Sequence, residues 1–150
     1  MAFFQLLPTK SLDDFSHVIQ LAIAPVFLLT AVGTLLMVLT NRLGRAVDRR
    51  RALETRIEDG ATDAVEARAR SELDLIALRV AWIYRAIVLA VFCALFICFL
   101  IVLAFVDAFV EGNFAKGLAI LFVLAMVALI GSLLALMREI FLAVSYTSGP

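Results

Sequence analysis

Few residues in this chain have chemistry to offer, and their placement narrows what kind. The single histidine, His17, stands three to four positions after Asp13 and Asp14, so a helix there brings the three together. Asp107 and Glu111, four apart, form a second acidic pair. Paired carboxylates can divide general-acid and general-base work. Both pairs, however, flank apolar runs instead of lying within them. Asp13, Asp14, Asp107 and Glu111 therefore read as acids at the outer mouth of a membrane protein, where they favour cations. His17 reads as an interfacial polar residue; copies of it converge into a ligand set only in a ring of subunits. Cys93 and Cys98 are five apart inside an apolar run and point to different faces of a helix, so they suggest neither a disulfide nor a metal site. No Gly-rich phosphate loop occurs. No catalytic, cofactor-binding or metal-ligating residue is assigned, and the chain is expected not to be an enzyme.

The neutral polar residues are more informative. At about 100° per residue, Thr30, Thr34 and Asn41 fall on one side of a helix, with Phe27 and Met37 flanking them and Gln20 on the same side. Pro25 can kink the approach to that face. Such a stripe has two uses in a membrane. It can be the interface at which helices approach and bond, or it can line a water-filled pathway in a homo-oligomer, with Phe27 or Met37 as an apolar constriction. Gln20, Phe27, Thr30, Thr34, Met37 and Asn41 are candidates for either.

These residues must be positioned by membrane spans. Of 150 residues, 64% are hydrophobic, and mean hydropathy is +1.05, more apolar than a soluble domain can bury. Three runs lack any charge: Val18 to Asn41, Ala86 to Val106 and Gly117 to Met137. Each is long enough to cross a bilayer. The first is too long, and its preceding acids are wrong, for a cleaved signal peptide. A charge inside a span is costly and usually functional; none of the three contains one. That argues against proton-coupled transporters, pumps and intramembrane proteases. The 13 basic and 13 acidic residues balance, which argues against a nucleic-acid partner.

Ten of the 13 basic residues lie between Arg42 and Arg85. The positive-inside rule then makes that segment cytoplasmic, with the N-terminus and the 107–116 loop outside and the C-terminus inside. Within it, Leu43, Val47, Leu53 and Ile57 form one helical stripe, and Val65, Ala69, Leu73, Ile76 and Val80 another. Gly60 suits the C′ position after a first helix, and Thr62 the N-cap of a second. Arg50–Glu54 and Glu66–Arg70 are supporting pairs four apart. Ser11 is read as the N-cap of a helix that starts near Leu12, with Asp13 and Asp14 in its first turn. Asp48 is the one acid among Arg42, Arg45, Arg49, Arg50 and Arg51. It reads either as a buried ion pair with Arg45 or Arg51, or as a surface pair of small worth. Arg42, Arg45, Arg49 and Arg51 are candidate contacts for anionic lipid head groups, though orientation alone also requires basic residues there. Trp82, Tyr84 and Arg85, and likewise Arg138 and Glu139, mark the inner interface.

Two longer motifs resemble a known family. Ser16-His17-Val18-Ile19-Gln20-Leu21-Ala22-Ile23-Ala24-Pro25-Val26-Phe27-Leu28-Leu29 looks like its opening motif. Leu39-Thr40-Asn41-Arg42-Leu43-Gly44-Arg45-Ala46-Val47-Asp48-Arg49 is similar to its second. The family is the small bacterial membrane proteins catalogued as domain of unknown function 2721. The resemblance covers about residues 12 to 146. It departs near Met137-Arg138-Glu139-Ile140, where the family often carries a further polar or aromatic pattern. It implies a three-span bacterial inner-membrane protein and supplies no activity.

The expected architecture is all-α and a single membrane domain. Spans are expected at about 17–41, 84–106 and 117–144, with an outer loop at 107–116. The first two spans extend into a cytoplasmic antiparallel helical hairpin at about 42–82. Such a thin bundle is expected to form a homo-oligomer in the lipid bilayer, without cofactors. Two functions fit: a pore for small ions lined by the first span, or a scaffold or regulator whose hairpin binds a partner protein or anionic lipid.

Overall fold

The computed structural model describes residues 9–59, 62–110 and 114–147, and their side chains over 23–59, 62, 64–107 and 114–144. These residues form three helices: α1 (Thr9–Glu58), α2 (Asp63–Val110) and α3 (Ala115–Thr147). In hydrocarbon no water satisfies a backbone N–H or C=O, so an apolar run of this kind closes its hydrogen bonds within a helix. Pro25 lies inside α1 without ending it. The 50 residues of α1 and 48 of α2 correspond to more than 70 Å each at ~1.5 Å per residue. A bilayer core is ~30 Å thick, so both helices carry a long charged continuation beyond their apolar half. All three helices are long and apolar enough to cross a membrane. The chain is a multi-pass membrane protein with an all-helical fold.

Several helix ends differ from the expected ones. α1 begins at Thr9, so Ser11 is inside the helix and Asp13 and Asp14 fall beyond the first turn, where little dipole remains to favour them. α2 runs to Val110 and α3 starts at Ala115, which makes the connection shorter than 107–116. Nothing between Asp107 and Val110 breaks a helix, and the ladder continues past the last apolar turn. At the other connection α1 ends at Glu58, and the Thr62 carbonyl accepts from the N–H groups of Val65 (2.8 Å) and Glu66 (3.0 Å), opening α2. Gly60, read as a helix terminator, lies outside the described residues.

Helix α2 is central and packs along both neighbours, whereas α1 and α3 approach each other sparsely. The buried positions explain this. On α3 they are Ala125, Ala128, Ser132, Ala135 and Glu139, at spacings of three, four, three and four. On α2 they include Ile83, Ala86, Ala90, Cys93 and Ile97, at three, four, three and four. Both stripes follow a 3.5-residue period, so they stay in contact over many turns. Most of these side chains are small, which lets backbones come close where lipid offers no hydrophobic driving force. A Cβ on Gly131 would stand 3.1 Å from Leu89 Cδ1. The Ser132 hydroxyl donates to the Ala86 carbonyl oxygen at 2.8 Å, joining α3 to α2 inside the seam. On α1 the buried positions are Val32, Leu39 and Leu53, multiples of seven apart. Past the apolar half, Leu53, Ala69 and Ile76 form a second cluster with Ala46, Ile57, Leu73 and Val80, where the charged continuations of α1 and α2 touch.

Candidate functional site

The two apolar stripes of α2 and α3 carry their periodicity past the end of the uncharged runs, and there the seam meets charge. Glu139 is the next member of the α3 stripe after Ala135, so its side chain enters the seam and is fully buried. A carboxylate taken out of water costs several kcal/mol unless it is paired and hydrogen-bonded. Two arginines meet it. Arg79 of α2 donates through Nη2 (2.8 Å) and Nε (3.2 Å) to Glu139 Oε1. Arg42 of α1 donates through Nη1 to Oε2. Both oxygens are thus satisfied by charge-assisted bonds, which are shorter and stronger than neutral ones. The guanidinium groups keep about a third of their side-chain surface exposed (31% and 36%), while the carboxylate side chain keeps 1%. Glu139 therefore joins all three helices at one level, and supplies the tie between α1 and α3 that their backbones do not.

The neighbouring residue faces elsewhere. Arg138 lies with its guanidinium carbon 5.4 Å from the Trp82 ring centroid, and Arg85 lies 4.8 Å from the same ring. Cations over an indole are attracted by its quadrupole. Tyr84, Arg85 and Arg138 are exposed, and Trp82 is half-buried beneath the two cations. Glu139 departs from its reading as an interfacial marker, because its seam position outweighs its polar type.

A cavity of about 310 Å³ opens beside the triad. Arg42, Arg45, Arg49 and Arg79 line it together with Glu139. Arg49 donates through Nε (2.9 Å) and Nη2 (2.8 Å) to Glu72 Oε1, which ties α1 to α2 about two turns further along. The pairs Arg50–Glu54 and Glu66–Arg70 also form. Asp48 is exposed and makes no ion pair with a described residue, so the buried pairing considered for it belongs to Glu139 instead. Asp48 lies off the seam, and Arg45 and Arg51 are exposed beside it.

The stripe on α1 is placed on the side of the helix away from α2. Phe27, Thr30, Thr34, Met37 and Asn41 are all exposed, and at about 100° per residue each lies 140° or more round the helix from buried Val32. The hydroxyls of Thr30 and Thr34 donate to the carbonyls of Val26 (3.2 Å) and Thr30 (3.1 Å) in their own helix. The side chains of Gln20, Asp13, Asp14 and His17 lie outside the described ones, as does Glu111. Asp107 has a structural partner: its Oδ1 accepts from the Phe114 N–H at 3.2 Å, drawing the start of α3 against the end of α2. The structure brings Arg42, Arg45 and Arg49 together at one cavity, and leaves Arg51 and Asp48 apart from it.

Two residues of this site, Glu139 and Arg79, are absent from the candidates drawn from the sequence. The signal for Glu139 is present there: Ala125-x-x-Ala128-x-x-x-Ser132-x-x-Ala135-x-x-x-Glu139 is an unbroken small-residue heptad ending in an acid. Arg79 follows Ile76 by three, on the same stripe of α2.

No curated protein and no solved structure was found that matches the chain. The family described as "Protein of unknown function (DUF2721)" matches residues 22–148, a stretch that contains the second motif whole, most of the first, and all three members of the buried triad. The chain belongs to that family.

Proposed function

We propose that this is a non-enzymatic membrane scaffold or regulator that acts through an antiparallel helical hairpin, the charged continuations of α1 and α2. The hairpin is cytoplasmic in this reading, with the N-terminus and the 111–114 connection outside, because ten of the 13 basic residues lie between Arg42 and Arg85. The membrane is then the inner membrane of a bacterium. The observation that carries the reading is the Glu139 carboxylate held by Arg42 and Arg79. It anchors both arms on α3 where they leave the apolar region, so the hairpin is presented at a defined angle and register. A pore or an enzyme has no evident use for so fixed a projection, whereas a docking element does.

The test is co-purification from native membranes with the full chain and with a variant lacking 50–69. Loss of a partner from the shortened variant, with its spans still inserted, supports the reading. An unchanged partner set overturns it.

One observation favours a second reading. The face of α1 carrying Phe27, Thr30, Thr34, Met37 and Asn41 is covered by neither α2 nor α3. In a ring of copies this face meets its equivalents or lines a path for small ions, with the acids Asp13, Asp14, Asp107 and Glu111 at its mouth. Native mass spectrometry in mild detergent showing monomer alone, or purified protein in vesicles passing no ions, removes that reading.

A further inference from the structure

The cavity beside the triad has an excess of positive charge that its own acids do not answer. Four arginines line it, Arg42, Arg45, Arg49 and Arg79, against the single carboxylate of Glu139. Both oxygens of that carboxylate are already engaged by Arg42 and Arg79. Arg49 is answered by Glu72 from outside the cavity. Arg45 has no acidic partner among the described residues. Converging guanidinium groups repel one another unless an anion lies between them, and their planar forks match phosphate oxygens two at a time.

The level of the cavity identifies the anion's source. Arg42 is the first charge after the run from Val18 to Asn41, and Glu139 follows the run from Gly117 to Met137 by two positions. The cavity therefore opens at the edge of the apolar region, the depth of lipid phosphates. A basic pocket between helices at this level is the form that headgroup recognition takes in membrane proteins. Its size, about 310 Å³, admits a phosphate ester with part of its headgroup.

We infer that this cavity binds the phosphate of an acidic phospholipid headgroup, with Arg45 and the outward edges of Arg42, Arg49 and Arg79 as its donors. The inference rests on the reading that the arms leave the bilayer at Arg42 and Arg79, and it is independent of which protein the hairpin meets. Glu139 has a second consequence here: it holds Arg42 and Arg79 side by side, which their mutual repulsion opposes.

The test compares full-length protein in vesicles of phosphatidylcholine alone and of phosphatidylcholine with phosphatidylglycerol, reading retained lipid by native mass spectrometry after mild extraction. Phosphatidylglycerol is expected to be retained selectively. Arg45→Gln should weaken that retention about fivefold, the worth of one surface arginine. Arg45 is exposed and holds no partner among the described residues, so the variant leaves their packing intact. Arg56→Gln and Arg68→Gln, at the far end of the hairpin, are the controls and should change little. Equal losses in all three variants, or no preference for the acidic lipid, overturns the proposal. Retention displaced by millimolar inorganic phosphate in both vesicle types shows a free-phosphate site, and overturns the lipid source. Labelling of Ala52→Cys by a membrane-impermeant maleimide in the same vesicles reports whether the arms lie outside the bilayer. Failure of that reading is thereby told apart from failure of the lipid site.

Discussion

Glu139 and Arg42 are 97 positions apart in the chain and share a hydrogen bond in the fold. They connect the two helices that otherwise have least to do with one another. Removing the acid leaves Arg42 and Arg79 side by side with no counter-charge. Glu139→Gln is expected to destabilise the protein by about 3–5 kcal/mol, the usual cost of breaking a buried pair. Thermal unfolding in detergent, followed by circular dichroism, checks this. Replacing all three members by apolar residues of similar volume should recover most of the loss, because no charge then remains buried.

Gly131 lies where α3 approaches Leu89 of α2. A Cβ there stands 3.1 Å from the end of the leucine side chain, which has some room to turn. Gly131→Ala should be nearly neutral. Gly131→Ile should cost about 1–3 kcal/mol through overpacking, and Leu89→Ala in the same chain should return part of it. A double-mutant cycle on unfolding free energy measures the coupling; additive losses would place the clash elsewhere.

Ser132 contributes one interhelical hydrogen bond within the seam. Ser132→Ala keeps the small volume and removes only that bond, so a loss of about 0.6 kcal/mol is expected. Ser132→Leu adds bulk at a fully buried position and should disrupt the α2–α3 contact altogether. Cross-linking between cysteines placed on the outer turns of α2 and α3 distinguishes a weakened seam from an opened one.

Thr34 is exposed, and its hydroxyl is satisfied by its own helix. Thr34→Leu should leave the unfolding free energy of a single chain unchanged within about 0.5 kcal/mol. Any change it makes to oligomer mass or ion flux then reports on contacts between copies, since among the described residues it bonds only within its own helix.

Asp107 ties the end of α2 to the first residue before α3. Asp107→Ala removes the acceptor that the Phe114 N–H finds among the described residues, with an expected cost of about 1 kcal/mol, as for other helix caps. Faster amide exchange at Phe114 with unchanged exchange in the seam is the expected pattern.

The spans were legible because a run of more than 20 uncharged apolar residues has few folds available to it in lipid. The turn between α1 and α2 was legible for a different reason: the charge-rich arms keep helical stripes, and both stop near Thr62. Glu139 was harder. An Arg-Glu step at the end of a span has the composition of an interfacial pair, and residue type alone assigns Arg138 and Glu139 the same surroundings. What separates them is register, since only Glu139 continues the line of Ala125, Ala128, Ser132 and Ala135. Asp48 shows the converse. Surrounded by arginines in the sequence, it has the better local case for an ion pair, yet it projects away from the seam. The α1 stripe was readable as a face, but its periodicity is indifferent to whether lipid or another chain lies against it.

The helical ladder of α1 runs without interruption from its apolar half into its charged half, and that of α2 does the same in return. In the proposed reading each is a lever that pivots where it leaves the bilayer. At ~1.5 Å per residue the arm beyond Arg42 is about 25 Å long, so a 10° change in tilt of the apolar half carries the far end sideways by about 4 Å. Bilayer thickness alters the tilt of a span. A chain so placed in a bilayer would convert a change in membrane thickness into a displacement well clear of it, with no hinge required.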